Sequence, residues 1–526
     1  MKELLNPALI ASGLLIALSS ANCIAAPPAA SKFTPSTLKR IGSVDERFQS
    51  YNIEMVEVTG GRFWKPYASK AEVSTSSANA PAGMDPSLYE YRQPINLYVP
   101  RLRKLAAALA PAYVRVSGTW ANTTFFQDSD EPAPAKAPEG FKGVLTRQQW
   151  KGVVDFSNAV GAEIVTSFSV SAGTRDAAGV WTPEQAEKIF NYTKSVGGHI
   201  AAAEFMNEPT MPEIGGAPKG YDAAAFGRDI AVFRSFAKKA APAMLFLGPG
   251  GVGEGSPIMP VSMKMMKTDD ILTVTGPVFD AFSYHTYGAV SSRCGVFGAS
   301  ATTTADAALS ADWLARGGQS QQVYGAFRDR FAPGTPMWNT ETAQAACGGD
   351  RWASTYLDTF RYLNQLGDLA RRGVKVHLHN TLAASDYGLL DEKTYEPRPN
   401  YWAALLWRRL MGATVLDPGP SPSPNLHIYA QCLRQRPGGV TLLVINADGK
   451  EAQSLDVAGA SERYTLSAQD PMAKQVQLNG VELKLGSDDA LPALNGAPTR
   501  PGKLTFAPAS ITFLAFPAAH NAACQQ

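Results

Sequence analysis

Only five cysteines occur in 526 residues, and their spacing matches no zinc-binding pattern. An excess of one charge is missing as well. The formal net charge is +2, so no global field gathers nucleic acid or an acidic membrane, and a polyanionic substrate would have to meet a local basic patch. Past residue 26 no apolar run is long enough to span a bilayer, and no internal repeat is evident. What is present is a globular composition, 45% hydrophobic and 18% charged, which excludes a disordered chain. The length accommodates a barrel of roughly 250 to 350 residues and a second domain.

Residues 1–26 read as a secretory signal peptide. Lys2 begins it, Ala8 to Leu18 form an apolar core too short to span comfortably, and Ile24-Ala25-Ala26 supply small residues for cleavage. A secreted or periplasmic protein is expected, with no membrane attachment after signal removal. Cys23 goes with the signal, which leaves Cys294, Cys347, Cys432 and Cys524 in an oxidising compartment. Four cysteines allow three pairings. Their positions along the chain favour Cys294 with Cys347 and Cys432 with Cys524.

Residues 27–50 form an N-terminal leader able to add a strand to a later β-sandwich; its Pro-, Ala- and Ser-rich part, to about Ser43, is expected to be mobile. Residues 51–412 then alternate strands and helices. Strands are expected at Tyr51 to Val58, Ala112 to Ser117, Glu163 to Val170, His199 to Glu208, Met244 to Leu247, Phe279 to Tyr284, Met337 to Glu341 and Val374 to His379. Thr182-Pro183-Glu184-Gln185 has the form of a helix start, with Thr at the N-cap and Gln at N3. Thr355 to Arg372 and Arg398 to Met411 are further helices, each followed by glycine. Eight strands alternating with helices form the α/β pattern of a (β/α)8 TIM barrel. After the proline-rich stretch Pro418 to Pro424 short strands dominate, and Asn479-Gly480 marks a hairpin, so residues 413–526 read as a C-terminal β-sandwich.

The chemistry centres on Phe205-Met206-Asn207-Glu208-Pro209. Pro209 bars Glu208 from the helical region and ends the strand, leaving a carboxylate at the C-terminal tip of barrel strand four. Alone, that glutamate is more readily a cap or an ion-pair partner. A second one, Glu341, ends strand seven in the same setting, and the two can flank one sugar ring. Retaining hydrolysis of a glycoside needs an acid and a nucleophile about 5 Å apart. Glu208 is assigned as acid/base and Glu341 as nucleophile. Asn207 is placed to bond the sugar 2-hydroxyl, against a plain strand-end cap as its bland alternative. Tyr287 is placed to touch the nucleophile and His285 to order that network, against simple ring packing. His377 and His379 share a strand face, but a metal barrel also needs converging carboxylates, so neither metal nor cofactor is expected. Gly348-Gly349 can offer backbone donors or make an ordinary turn.

These residues resemble a known family. Asn-Glu-Pro on strand four with a glutamate on strand seven is similar to the large clan of barrel-fold retaining glycosidases. Three longer stretches look like glycoside hydrolase family 79, the heparanase and β-glucuronidase family: Pro111 to Thr119, Glu341 to Gly349, and Asp386 to Glu392 running on to Trp402. The resemblance covers about residues 51 to 412, and the Cys432 and Cys524 spacing fits it. It implies that Glu57, Thr119, Asn207, Gly348, Gly349 and Tyr387 line the sugar at the cleavage point, with Tyr387 meeting the glucuronate carboxylate. Ser385 and His379 depart from the mammalian pattern of Gly and Gln, and His379 is kept as a lining residue. The segment Gln127 to Pro132 is too short for an excised linker, which implies a single chain needing no internal processing. The activity implied is endo-β-glucuronidase action on heparan sulfate-type, glucuronate-containing polysaccharide by a monomer that binds no nucleic acid. Alternatives are exo release of terminal glucuronate, a dead carbohydrate-binding protein and a metal-dependent barrel hydrolase.

Overall fold

The computed structural model describes residues 32–68, 85–255, 265–294 and 299–525. The predicted signal peptide lies outside the described residues. Eight parallel strands close a barrel in sequence order: β1 (Gln49–Glu54), β2 (Ala112–Ser117), β3 (Ala162–Thr166), β4 (Ile200–Glu204), β5 (Leu245–Gly251), β6 (Ala281–Tyr287), β7 (Met337–Ala343) and β8 (Val374–His379). Helices such as Arg147–Val160, Ala223–Ala240 and Tyr356–Arg371 alternate with them, as a right-handed parallel crossover requires. The barrel floor is filled by large residues set against small ones, Tyr113 and Trp338 (rings 4.9 Å apart) with Ala202 and Ala281.

Above that floor the inward positions become charged. Strand alternation turns Arg115 inward two residues after Tyr113, and Glu204 inward two residues after Ala202. Strand β7 breaks the alternation. Thr340 donates to the buried Glu204 and Glu341 bonds Arg115, so consecutive side chains both reach the interior. The register of β7 against β8 shifts between Asn339 and Thr342, and such an irregularity is what re-aims Glu341 into the mouth.

The C-terminal region is an antiparallel sheet that faces a two-stranded sheet, Gln453–Val457 with Gly502–Phe506. Its central strand Val440–Asn446 is buried on both faces: Leu442 and Val444 pack towards the small sheet, Leu443 and Ile445 towards the barrel's outer helices. Asn479-Gly480 is the predicted hairpin, joining Gln477–Leu478 to Val481–Glu482.

Several local expectations are corrected. The stretch from Phe33 to Ser43 is not mobile: Phe33 is buried, Arg40–Ser43 pairs with Met411–Leu416 in the large sheet, and Asn521 donates to the Pro35 and Leu38 carbonyls. Backbone pairing holds what composition left loose. The first barrel strand stops at Glu54, and Met55–Thr59 is a short helix, so Glu57 lies on a helix. Thr182 does not cap the next helix: its hydroxyl bonds the Thr174 carbonyl, Pro183 sits at the cap, and Gln185 accepts from the Phe126 amide.

Candidate active site

Strand β4 ends at Glu204, four residues before Glu208. Glu208 takes a left-handed backbone (φ 50°) rather than the extended one expected before proline, and its carbonyl accepts from the Met211 amide at 3.0 Å. Pro209 excludes the right-handed helix, and the turn that remains lifts the carboxylate over the barrel mouth. Asn122 fixes this turn from beneath, accepting from the Asn207 amide (2.8 Å) and donating to its carbonyl (2.9 Å).

Under the mouth lies a fully buried charge network centred on Arg115. Nη1 donates to Glu341 Oε2 (2.8 Å); Nε and Nη2 both donate to Glu204 Oε2 (3.1 and 2.8 Å); Nη2 also donates to Asn207 Oδ1 (2.7 Å). Tyr287 donates its hydroxyl to Glu341 Oε1 at 2.6 Å. His285 stands between the carboxylates, with Nδ1 3.0 Å from Glu208 Oε1 and 3.7 Å from Glu341 Oε2, and Nε2 3.8 Å from Glu204 Oε1. Arg115 Nη2 also lies 3.3 Å from His285 Nε2, which ties the imidazole into the same network.

Burial raises the Glu208 carboxyl above the ordinary range; the hydrogen bond from His285 opposes this, and the charge of Glu341 adds to it. Burial opposes a charged imidazole, yet Glu341, with hydrogen bonds to Glu204 and Glu208, pushes His285 up to about 9. Burial alone would raise Glu204, but Arg115 and His285 hold it well below the carboxylate range. Burial thus favours the neutral form of Glu208, while Arg115 and His285 favour the charged form of Glu204.

Side-chain atoms of Glu208, His285 and Glu341 lie within 4.8 Å of one another, and the positive charge facing them is Arg115. A cavity of about 110 Å³ opens above, lined by Glu208, Glu341, Tyr287, Tyr387 and Thr119 among the expected residues. Asn207 and His285 sit beneath its surface. Glu57 does not line the cavity; its Oε2 accepts from the Glu54 amide at 2.8 Å, and Glu54 reaches the cavity instead. His379 does not line it either: Nε2 donates to the Tyr387 carbonyl at 2.8 Å and steadies Tyr387 from behind. Burial drives both His377 and His379 well below the usual imidazole range. Neither Gly348 nor Gly349 lines the cavity, and the Gly349 amide donates to Ala345 at 3.1 Å within its own turn. Both have positive φ, and a Cβ on Gly348 would come within 2.5 Å of Ser385 and Trp64.

Glu54, Arg115, Glu204 and Asn380 escaped the sequence reading. Asn380 Nδ2 lies 3.0 Å from Glu54 Oε1, 3.2 Å from the Tyr287 hydroxyl and 3.3 Å from that of Tyr387. The available signal was a charge inside an apolar strand, as in Tyr113-Val114-Arg115-Val116, because a buried charge must be paired.

A family model described as glycosyl hydrolase family 79, N-terminal domain, matches residues 93–367. The chain belongs to glycosyl hydrolase family 79. It is a glycoside hydrolase. Heparanase-like protein 1 of Arabidopsis thaliana is 28% identical over 390 residues, covering 69% of this chain and 67% of the relative. Mouse heparanase is 26% identical over 496 residues, covering 81% and 87%. A solved 4-O-α-L-rhamnosyl-β-D-glucuronidase from Fusarium oxysporum superposes with TM-score 0.60 at 14% identity, covering 92% of this chain and 99% of its own, a likeness of fold. In this family 79 chain Cys294 is bridged to Cys347 and Cys432 to Cys524, which fits an oxidising compartment. Among the described residues no helix is long and apolar enough to cross a membrane.

Proposed function

We propose that this chain is a secreted retaining β-glucuronidase working by double displacement, without metal or cofactor. The observation that carries the reading is the approach of Glu208 and Glu341 to within 4.8 Å, with burial raising the carboxyl of Glu208 above its ordinary range. Inverting enzymes hold the pair about 6.5 to 9.5 Å apart to admit a water, and retaining ones about 5 Å. His285 donates Nδ1–H to Glu208 Oε1, which leaves Oε2 to carry the acid's proton.

In the first step Glu208 gives that proton to the glycosidic oxygen. The C1–O bond breaks with its electron pair going to oxygen, and Glu341 bonds to C1. The leaving group departs as a neutral alcohol. Glu208, now a carboxylate, takes a proton from water as the water attacks C1 and releases Glu341. Arg115 and Tyr287 hold both oxygens of Glu341 throughout, so its developing charge on release is already met. Tyr387 and Asn380 stand beside Glu54 where the sugar's C6 carboxylate and hydroxyls would lie. Burial and the charge of Glu341 raise Glu54 well above the ordinary carboxylate range, against the opposing charge of Arg115, and this rise weakens its repulsion of an anion.

Two modes are open to this chemistry. The heparanase-like mode, endo cleavage within heparan sulfate-type chains, calls for basic side chains along the polysaccharide. The exo mode, release of terminal glucuronate, is favoured by one observation: among the described residues no Lys or Arg lines the cavity. Product analysis on heparan sulfate and on an aryl β-glucuronide decides between them, since oligosaccharide fragments mean endo and free glucuronate means exo. Proton NMR of the first-formed product should show the β-anomer, and an initial α-anomer would sink the double-displacement reading.

A further inference from the structure

The cavity wall divides by element. On the flank of β7, β8 and β1 the side chains reaching it include Glu54, Asn380 and Tyr387, with Trp64 stacked on Tyr89 at 4.5 Å. On the opposite flank the segments after β4, β5 and β6 send in Met211, Ile214, Val252 and Val290. Three of these are hydrocarbon and the fourth a thioether, so none donates or strongly accepts a hydrogen bond. The flank is held by its backbone. Val252 is tied to the Thr210 hydroxyl through both amide (3.0 Å) and carbonyl (3.1 Å), and the Val290 amide donates to Ala301 at 2.9 Å. Met211 and Ile214 remain partly exposed, so apolar surface is left uncovered at the cavity.

Reaction geometry says which half of a substrate meets this flank. The acid must reach the glycosidic oxygen, so the leaving group lies on Glu208's side, while the attacked sugar lies over Glu341. Met211 follows Glu208 by three residues, and its amide bonds the Glu208 carbonyl at 3.0 Å, so wall and acid move as one unit. We propose that Met211, Ile214, Val252 and Val290 form the leaving-group subsite and that it takes an uncharged aromatic aglycone. This rests on the β-glucuronidase reading and deepens its exo mode. A sugar or sulfate placed here would shed water without finding a partner, whereas an aromatic ring gains by covering the apolar surface. The aglycone departs as a neutral alcohol, so the wall never faces a charge.

The test compares kcat/KM of the full-length enzyme on three β-glucuronides: methyl, benzyl, and glucuronate linked β-1,4 to N-acetylglucosamine. Methanol and benzyl alcohol are of nearly equal acidity, so leaving-group chemistry is matched and the difference reports the subsite. The wild type should prefer benzyl over methyl by roughly tenfold or more. Ile214→Asn and Met211→Gln should each pull that ratio towards unity, with circular dichroism confirming that each variant is folded. A wild-type ratio near one, a preference for the disaccharide, or a ratio unchanged in both folded variants would overturn the subsite. Failure to hydrolyse any of the three glucuronides would instead overturn the β-glucuronidase reading.

Discussion

At the scale of single residues, the roles of the two glutamates separate by leaving group. Glu341→Gln removes the proposed nucleophile and should abolish turnover of every substrate. Glu208→Gln should spare substrates with good leaving groups far more than natural ones, because these need little protonation. Equal losses on both in steady-state assays would reject the assignment. With wild-type enzyme the basic limb of kcat/KM should report loss of the Glu208 proton above the ordinary carboxylate range, and Glu208→Gln should erase that limb. Glu57 tests the opposite kind of buried acid, one with no part in the cavity. Burial pushes it up to about 7 from 4.5. The folded protein therefore holds a proton that the unfolded chain gives up across that interval, so stability falls as pH rises from 4.5 to about 7 and is level above. The cost at pH 8 is about 3 kcal/mol by linkage. Glu57→Gln keeps the acceptor for the Glu54 amide and should gain on wild type in melting temperature between pH 4.5 and 8. A constant offset across that range would dismiss the effect.

At the scale of elements, the site depends on irregularities at strand ends. The β7 register shift brings in Glu341, the left-handed turn raises Glu208, and the early end of β1 puts Glu54 in the cavity where Glu57 was expected. The bridges act at this scale too. Cys294–Cys347 ties the segment after β6 to the one after β7, and Cys347 lines the cavity. Cys432–Cys524 pins the chain's last turn to the large sheet, far from the chemistry. Replacing both Cys432 and Cys524 by Ser should cost roughly 2 to 5 kcal/mol in urea unfolding. Wild-type stability in the double variant, or free thiols at both positions in non-reduced peptide maps of the native enzyme, would contradict this.

At the scale of the molecule, barrel and sheet share enough contacts that they should melt together. The first turn of helix Tyr356–Arg371 has its amides satisfied from the sheet region: Tyr356 donates to the Ala473 carbonyl and Leu357 to that of Pro471. The Tyr356 hydroxyl donates to Leu466 at 2.7 Å and that of Tyr429 to Asn364 at 2.7 Å. Gly367 lies under the Tyr429 ring, where a Cβ would come within 2.3 Å of ring carbons. Gly367→Ala must displace that ring and should cost about 1 to 3 kcal/mol by overpacking. Calorimetry should show one transition moved down, and two separate transitions would mean that the junction carries no cooperativity.

What the sequence determined by itself is local or periodic. Alternating strands and helices announced the barrel, Asn479-Gly480 a hairpin of the C-terminal sheet, and two glutamates after apolar runs the proposed catalytic pair, because each signal is written in neighbouring residues. Tertiary structure alone decided which charges meet. Arg115 gathers Glu204, Asn207 and Glu341 from two other strands and a turn, and no spacing along the chain encodes that convergence. Nor could sequence place Glu54 rather than Glu57 at the cavity: where a strand ends is settled by its partners' register, and a few residues' difference moves a side chain from the mouth to the outer layer.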